Sequence, residues 1–156
     1  MSNPTGLLRD PLDQFYTRPD VAGACVDVLK IHAPIDIPWI EPSAGTGAFL
    51  DHTPHAVGYD IDPRADRIQR ANFLETSPPQ GCVVFGNPPF GRQSSLAKQF
   101  IRHATKFADW IGFILPRSFV KPSMQKVFPP EFHLVHSHTL PENSFLVDGQ
   151  PYDVPC

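Results

Sequence analysis

Two short segments constrain this chain more than any other feature. Glu41-Pro42-Ser43-Ala44-Gly45-Thr46-Gly47-Ala48-Phe49 closes a run that begins at Ile35, and Asn87-Pro88-Pro89-Phe90 starts 46 positions after Glu41, at the end of the apolar run 81–86. Each joins a short strand to a tight turn. Glycine at 45 and 47 lets the main chain come close to a ligand where a Cβ would collide. The prolines at 88 and 89 hold the second turn stiff. Ligands of open α/β sheets bind beyond the carboxyl ends of the strands, and both turns belong there.

The rest of the pattern agrees with such a sheet. Pro19 opens a helix over 19–31, with Val21, Cys25, Val28 and Leu29 at helical spacing. Strands are expected over 35–41, 56–61, 81–86, 110–115, 132–140 and 144–147, with a brief extended stretch at 71–74. The runs at 81–86 and 110–115 are apolar enough to be buried on both faces. Helices are expected over 63–70, 94–107 and 118–127, and a brief one from Ala48; Leu96, Phe100, Ile101 and Ala104 make an inward stripe. Strands alternating with helices imply parallel pairing in a three-layer α/β sandwich. No repeat, low-complexity tract or linker divides the 156 residues, which read as one domain with residues 1–17 as an irregular arm.

Composition narrows the class of function. No apolar stretch reaches the roughly 20 residues that span a bilayer, and residues 1–10 lack a charged-then-apolar signal pattern. The three cysteines, Cys25, Cys82 and Cys156, show no CxxC spacing, so neither paired disulfides nor structural zinc are expected. A reducing cytoplasm fits best. The net charge of −3 argues against a strong non-specific hold on nucleic acid. Its distribution is uneven: residues 1–78 balance at −5 and residues 79–156 at +2, so a polyanion would dock on the C-terminal half. The 19 prolines mostly flank apolar runs and read as loop punctuation.

The glycine turn excludes two common ligand types. A phosphate-binding P-loop needs Gly-Lys-Ser/Thr, but Ala48 follows Gly47; a dinucleotide fingerprint needs a third glycine where Leu50 stands. Glu41 would also repel a pyrophosphate. It suits a cationic or amine-bearing ligand, and S-adenosylmethionine carries both a sulfonium and an ammonium. Asp60, 19 residues after Glu41 at the tip of the next strand, is placed to accept hydrogen bonds from ribose hydroxyls. At the second turn, the Asn87 amide oxygen and the Pro88 carbonyl can each accept a proton of a planar amine. That draws the nitrogen toward a tetrahedral shape as a methyl group arrives. Phe90 offers a face for an extruded base.

On these residues the chain resembles the class I S-adenosylmethionine-dependent methyltransferases, and among them the amino-group (N6-adenine) DNA methyltransferases. The resemblance runs from Phe15 to the C-terminus. It implies a Rossmann-like methyltransferase sandwich, a mostly parallel sheet with an incomplete final strand, S-adenosyl-L-methionine as cofactor, and adenine N6 in DNA, or RNA, as the methyl acceptor. Tyr16, Thr17 and Pro19 resemble the segment that closes over the methionine moiety; Glu41, Ser43, Ala44, Gly45 and Gly47 resemble the cofactor loop. Asp60 resembles the ribose-binding acid, with Ile61 beside the adenine ring, and Asn72-Phe73 resembles an Asp-Phe pair that reads that ring. Asn87, Pro88, Pro89 and Phe90 take the catalytic place, and Leu115 to Phe119 the wall of the target pocket. Similar Asn-Pro-Pro-Tyr turns methylate protein glutamine or rRNA guanine N2, the alternative substrates.

Three departures and several smaller features complete the expectations. Asn72 stands where the resemblance has Asp, no separate target-recognition domain is present, and the chain ends where the related fold would run on. These leave room for a fragment, a homodimer, a partner subunit that completes the sheet, or a non-catalytic cofactor-binding scaffold. Arg92, Arg117 and Lys121 are candidates for phosphate contacts. Arg64, Arg67 and Arg70 read as a solvated helix face, His136 and His138 as exposed histidines rather than metal ligands, and Trp110 and Phe113 as core.

Overall fold

The structure, a computed structural model, describes residues 15–156. Of the expected N-terminal arm, residues 1–14 lie outside the described residues. Its end, Tyr16–Thr17, forms the first strand, β1.

Five strands build a parallel sheet: β2 (Trp39–Glu41), β3 (Val57–Asp60), β4 (Gln69–Arg70), β5 (Cys82–Gly86) and β6 (Ala108–Phe113). Their order is β4-β3-β2-β5-β6. From β2 the chain winds outward through β3 and β4, then returns to place β5 on the other side of β2. This is the doubly wound, Rossmann-like order, with its crossover between β2 and β5. There Trp39 pairs with Val83 and Ile40 with Val84.

Alternation along these strands makes the two outer layers. Trp39, Val83 and Phe85 face α1 (Pro19–His32), where they pack with Ala22 and Val26. Ile40, Cys82 and Val84 face the opposite side with Phe73, Phe100 and Ala104, the last two on α2 (Ser95–Ala104). Every residue of β5 is buried, as expected for a central strand. α1 starts at Pro19, needing no donor there, and ends before Pro34, which cannot continue it.

Several expected elements are absent or altered, each for a local reason. Residues 63–70 form no helix: β3 ends at Asp60 and β4 begins at Gln69, with Tyr59 paired to Gln69. The connection is too short for a full crossover helix. The strand expected at 35–41 shortens to Trp39–Glu41, since Pro34 and Pro38 cannot donate to a ladder. The helix expected at 118–127 splits at Pro122 into a 3-10 turn (Arg117–Val120) and the short α3 (Pro122–Gln125), with Lys121 extended before the proline. The turn after Ala48 is a single 3-10 turn, Leu50–His52. β6 is an edge strand and largely half-exposed, with Trp110 and Phe113 packed at the margins of the core. Residues 132–140 form no strand, and Leu134 and Val135 are 70% and 62% exposed.

A second sheet was not foreseen. β7 (Phe145–Val147) and β8 (Gln150–Tyr152) form a hairpin, and β1 pairs antiparallel with β7, Thr17 beside Phe145. Its turn residues Asp148 and Gly149 both take positive φ, 52° and 76°, as a two-residue hairpin demands. The hairpin therefore anchors the residues that precede α1.

Ile101 is wholly buried where α2 meets the core, so Ile101→Ala should cost about 2–5 kcal/mol. Leu134→Ala, on the exposed 132–140 segment, should change stability by less than about 0.5 kcal/mol. Urea unfolding of the two variants checks both, and equal losses would contradict this division between core and surface.

Candidate active site

The crossover brings the two turns together. One small cleft is lined by Phe15, Tyr16 and Thr17 from around β1, by Glu41 and the glycine turn after β2, and by Asn87 after β5. Tyr16, Thr17, Glu41, Ser43, Ala44, Gly45 and Asn87, seven of the residues singled out in the sequence, thus meet at one place. Ser43 Oγ donates to the main-chain oxygen of Asn87 at 2.9 Å, tying the turns directly to each other.

Asp60 stiffens the glycine turn from the next strand. One carboxylate oxygen accepts from the Gly45 amide and the other from the Asp62 amide, both at 2.8 Å. Burial pushes the Asp60 carboxyl above its ordinary range, and these two amide donors oppose the shift. Gly45 has φ +57°, and a Cβ there would stand 2.9 Å from the Tyr16 ring. The positive φ favours glycine there, and the Tyr16 ring packs close over the turn. Gly86, immediately before Asn87, has φ +128°, and a Cβ there would meet the Glu41 side chain at 2.9 Å.

Two side-chain oxygens of residues lining this cleft are buried without a hydrogen-bond partner among the described residues: Glu41 Oε1 and Asn87 Oδ1. Leaving a buried acceptor unsatisfied costs about 1–3 kcal/mol, more for a charged group. Burial pushes the Glu41 carboxyl well above the usual carboxylate range; nearby Asp60 adds to the shift and Arg67 opposes it. A cationic donor brought against Glu41 would draw it back toward ionisation. Asn87 is held from its other end, as Nδ2 donates to the Phe15 carbonyl at 3.2 Å and to Thr17 Oγ1 at 3.3 Å.

The cleft has a volume of about 20 Å³, room for one water. Sites for small molecules run to roughly 300–1,000 Å³, so the cleft in this state is too small to hold one. A larger hollow of about 450 Å³ lies against Pro63, Arg64, Ala65, Asp66, Ile68 and Arg70. It is open and mostly polar, and it includes neither the glycine turn nor Asn87.

Other expected site residues lie elsewhere or do other work. Phe90 is 6% exposed and packs in the core, its ring 5.8 Å from that of Phe15. Its carbonyl accepts from the Leu96 and Ala97 amides at the start of α2. In this state the ring has no open face, whereas the sequence suggested one. Phe73 is 1% exposed, wedged between Phe100 and His103, so its ring is core rather than cleft wall. Asn72 spends its side-chain oxygen on the Leu74 amide at 3.0 Å, capping the 3-10 turn Phe73–Glu75. Pro88 is fully buried and Pro89 half-buried. Pro19 begins α1, Gly47 accepts from the Arg67 guanidinium, and Ile61 is 42% exposed beyond β3.

The cations divide into two groups. Arg64 pairs with Asp62 at 2.9 Å, Arg67 with Asp51, and Arg70 donates to the Ile61 carbonyl at 2.9 Å. All three are exposed, as expected, but on loops and a strand end rather than on a helix. Arg92, Arg117 and Lys121 are exposed after the carboxyl ends of β5 and β6, and none is in an ion pair among the described residues. Burial pushes the Cys25 thiol up to about 11 and the Cys156 thiol to about 12, so neither is a nucleophile near neutrality. Among the described residues no group of three or more His, Cys, Asp or Glu is arranged to hold a metal, and no helix is long and apolar enough to cross a membrane.

No protein-family model matches the chain, and no curated protein matches it. Solved structures with a similar chain path include a candidate methyltransferase of Escherichia coli, yhhF, at 19% identity and TM-score 0.42, over 59% of this chain and 62% of that one. Another is a predicted N6-adenine-specific DNA methylase from Listeria monocytogenes, at 15% identity and TM-score 0.49, over 81% of this chain and 49% of that one. The chain thus spans less than two thirds of the length of either.

Glu41 gives a test that needs no ligand. Its folded carboxyl titrates above the unfolded value, so the native state holds the extra proton. Stability should then fall as pH rises from the ordinary carboxylate range through the raised folded value. Glu41→Gln should remove this component. Urea unfolding of both proteins across that window reads the difference, and parallel curves would show that Glu41 is not held in the protonated form.

Proposed function

We propose that this protein is an S-adenosylmethionine-dependent methyltransferase that modifies the exocyclic N6 amine of adenine in nucleic acid, DNA ahead of RNA. The observation that carries this reading is the pair of buried, unpartnered acceptors, Glu41 Oε1 and Asn87 Oδ1, in one cleft at the crossover of a doubly wound sheet.

The two acceptors divide the work. Glu41, deep beside the glycine turn, suits the ammonium of the cofactor's methionine end, and Tyr16 would close over that end after swinging aside to admit it. The main chain of Gly45 and Gly47 provides the close approach, and Asp60 retains free acceptor capacity for ribose hydroxyls. The cofactor supplies an electrophilic methyl group when bound.

Asn87 supplies the second half of the chemistry. Its Oδ1 accepts one proton of the target amine, and the Pro88 carbonyl accepts the other. Both acceptors belong to a turn whose prolines fix it before substrate arrives, so catalysis is alignment and polarisation of a weakly nucleophilic nitrogen. Arg92, Arg117 and Lys121, exposed past β5 and β6, favour a polyanionic substrate.

Asn87→Ala should keep cofactor binding, measured by calorimetry with S-adenosylhomocysteine, and lose about 10²–10³-fold in turnover. Labelled S-adenosylmethionine offered with separate pools of DNA, RNA and protein identifies the acceptor, and label on adenine is the expected result. Label on protein glutamine or on guanine would move the reading to those substrates. Cofactor binding without transfer to any pool would make the chain a scaffold, and unchanged turnover in Asn87→Ala would remove Asn87 from the chemistry.

A further inference from the structure

A carboxamide is useful to an amine only in one orientation. Its oxygen accepts the amine proton, whereas the flipped amide would present NH2 to NH2. The two orientations differ little in shape, so packing alone selects between them poorly. Something must set the polarity of Asn87.

We propose that β1 does so, with Thr17 as a positioning residue for Asn87; this rests on reading Asn87 Oδ1 as the amine acceptor. The Phe15 carbonyl has no proton to donate, so the end of the carboxamide that faces it must be the NH2. Nδ2 lies 3.2 Å from that carbonyl and 3.3 Å from Thr17 Oγ1, leaving Oδ1 turned to the cleft without a partner. A flip would press Oδ1 against the Phe15 carbonyl, which has no proton to give it, and leave the Thr17 hydroxyl to offset that loss alone.

The second sheet explains why β1 can serve as a fixed reference. Thr17 is buried, and β1 pairs with β7 through Tyr16 beside Leu146 and Thr17 beside Phe145. The Arg18 amide donates to the Ser144 carbonyl at 2.9 Å, and the Arg18 guanidinium to the Asn143 carbonyl at 3.0 Å. The Phe15 ring stacks on Tyr152 of β8, with centroids 5.4 Å apart and planes 14° from parallel. The hairpin thus reaches the reaction centre indirectly: β7 and β8 hold β1, and β1 holds the amide.

The variants Thr17→Val, which keeps the shape and removes the acceptor, and Thr17→Ser, which restores it, test the proposal. Thr17→Val should lower kcat for adenine methylation about five- to tenfold, the size of one lost hydrogen bond. KM values for both substrates should stay within about twofold, and Thr17→Ser should recover most of kcat. A kcat of Thr17→Val within twofold of native, or failure of Thr17→Ser to recover it, would overturn the proposal.

A second measurement works without substrate and without dependence on the reaction. The Asn87 side-chain NH2 protons, followed by NMR, should lose exchange protection in Thr17→Val and regain it in Thr17→Ser; no change would also overturn it. If Asn87→Ala methylates normally while the NMR effect appears, the functional reading fails and the positioning stands. If Asn87→Ala is inactive and Thr17→Val changes neither kcat nor protection, the reverse holds.

Discussion

The hydrogen bond from Ser43 Oγ to the Asn87 carbonyl, at 2.9 Å, is where the fold becomes a site. It joins the turn after β2 to the turn after β5, and those strands are neighbours only because the winding direction reverses between them. Two strands that diverge in chain order need a tie above their ends, or their loops would drift apart. Backbone pairing of Trp39 with Val83 and Ile40 with Val84 sets the distance below, and Ser43 sets it above. Glu41 and Asn87 then face one cleft although 46 positions separate them in the chain.

Much of this was legible in the sequence because turn chemistry and central-strand hydrophobicity are local signals. The glycines at 45 and 47, the proline pair at 88 and 89, and the apolar run 81–86 each state their conformation within a few residues. The failures arose where the outcome depends on partners far away. The arginines at 64, 67 and 70 have helical spacing, but the register of Tyr59 on Gln69 leaves no length for a helix. The alternation at 132–140 has strand character without a strand to join. The pairing of β1 with β7 spans nearly the whole chain, and neither two-residue β1 nor three-residue β7 has a periodic pattern to announce it.

The surroundings of Phe90 could not be read from its motif. Beside Asn87 and two prolines, an aromatic ring suggested a surface for a flat substrate. The structure sends that ring inward instead, against Phe15, while its carbonyl receives the first amides of α2. Burial of the ring roots the Asn-Pro-Pro turn in the core. For the proposed reaction such anchoring would matter, because preorganised acceptors act without reorganisation.

The same economy explains the position of the second sheet. A main sheet that ends at the half-exposed β6 cannot by itself cover a cleft at β2 and β5, and a site open to water would screen Glu41 and solvate Asn87. The hairpin answers both needs by holding β1 across the cleft. Tyr16 covers the glycine turn, Thr17 and the Phe15 carbonyl take the NH2 end of Asn87, and the aromatic stack of Phe15 on Tyr152 fixes the strap in place. Covering the site has a cost, paid as two unpartnered oxygens and a carboxyl held above its usual range. A donor that reached either oxygen would relieve that cost, which is why the proposed reading places an ammonium at Glu41 and an amine at Asn87.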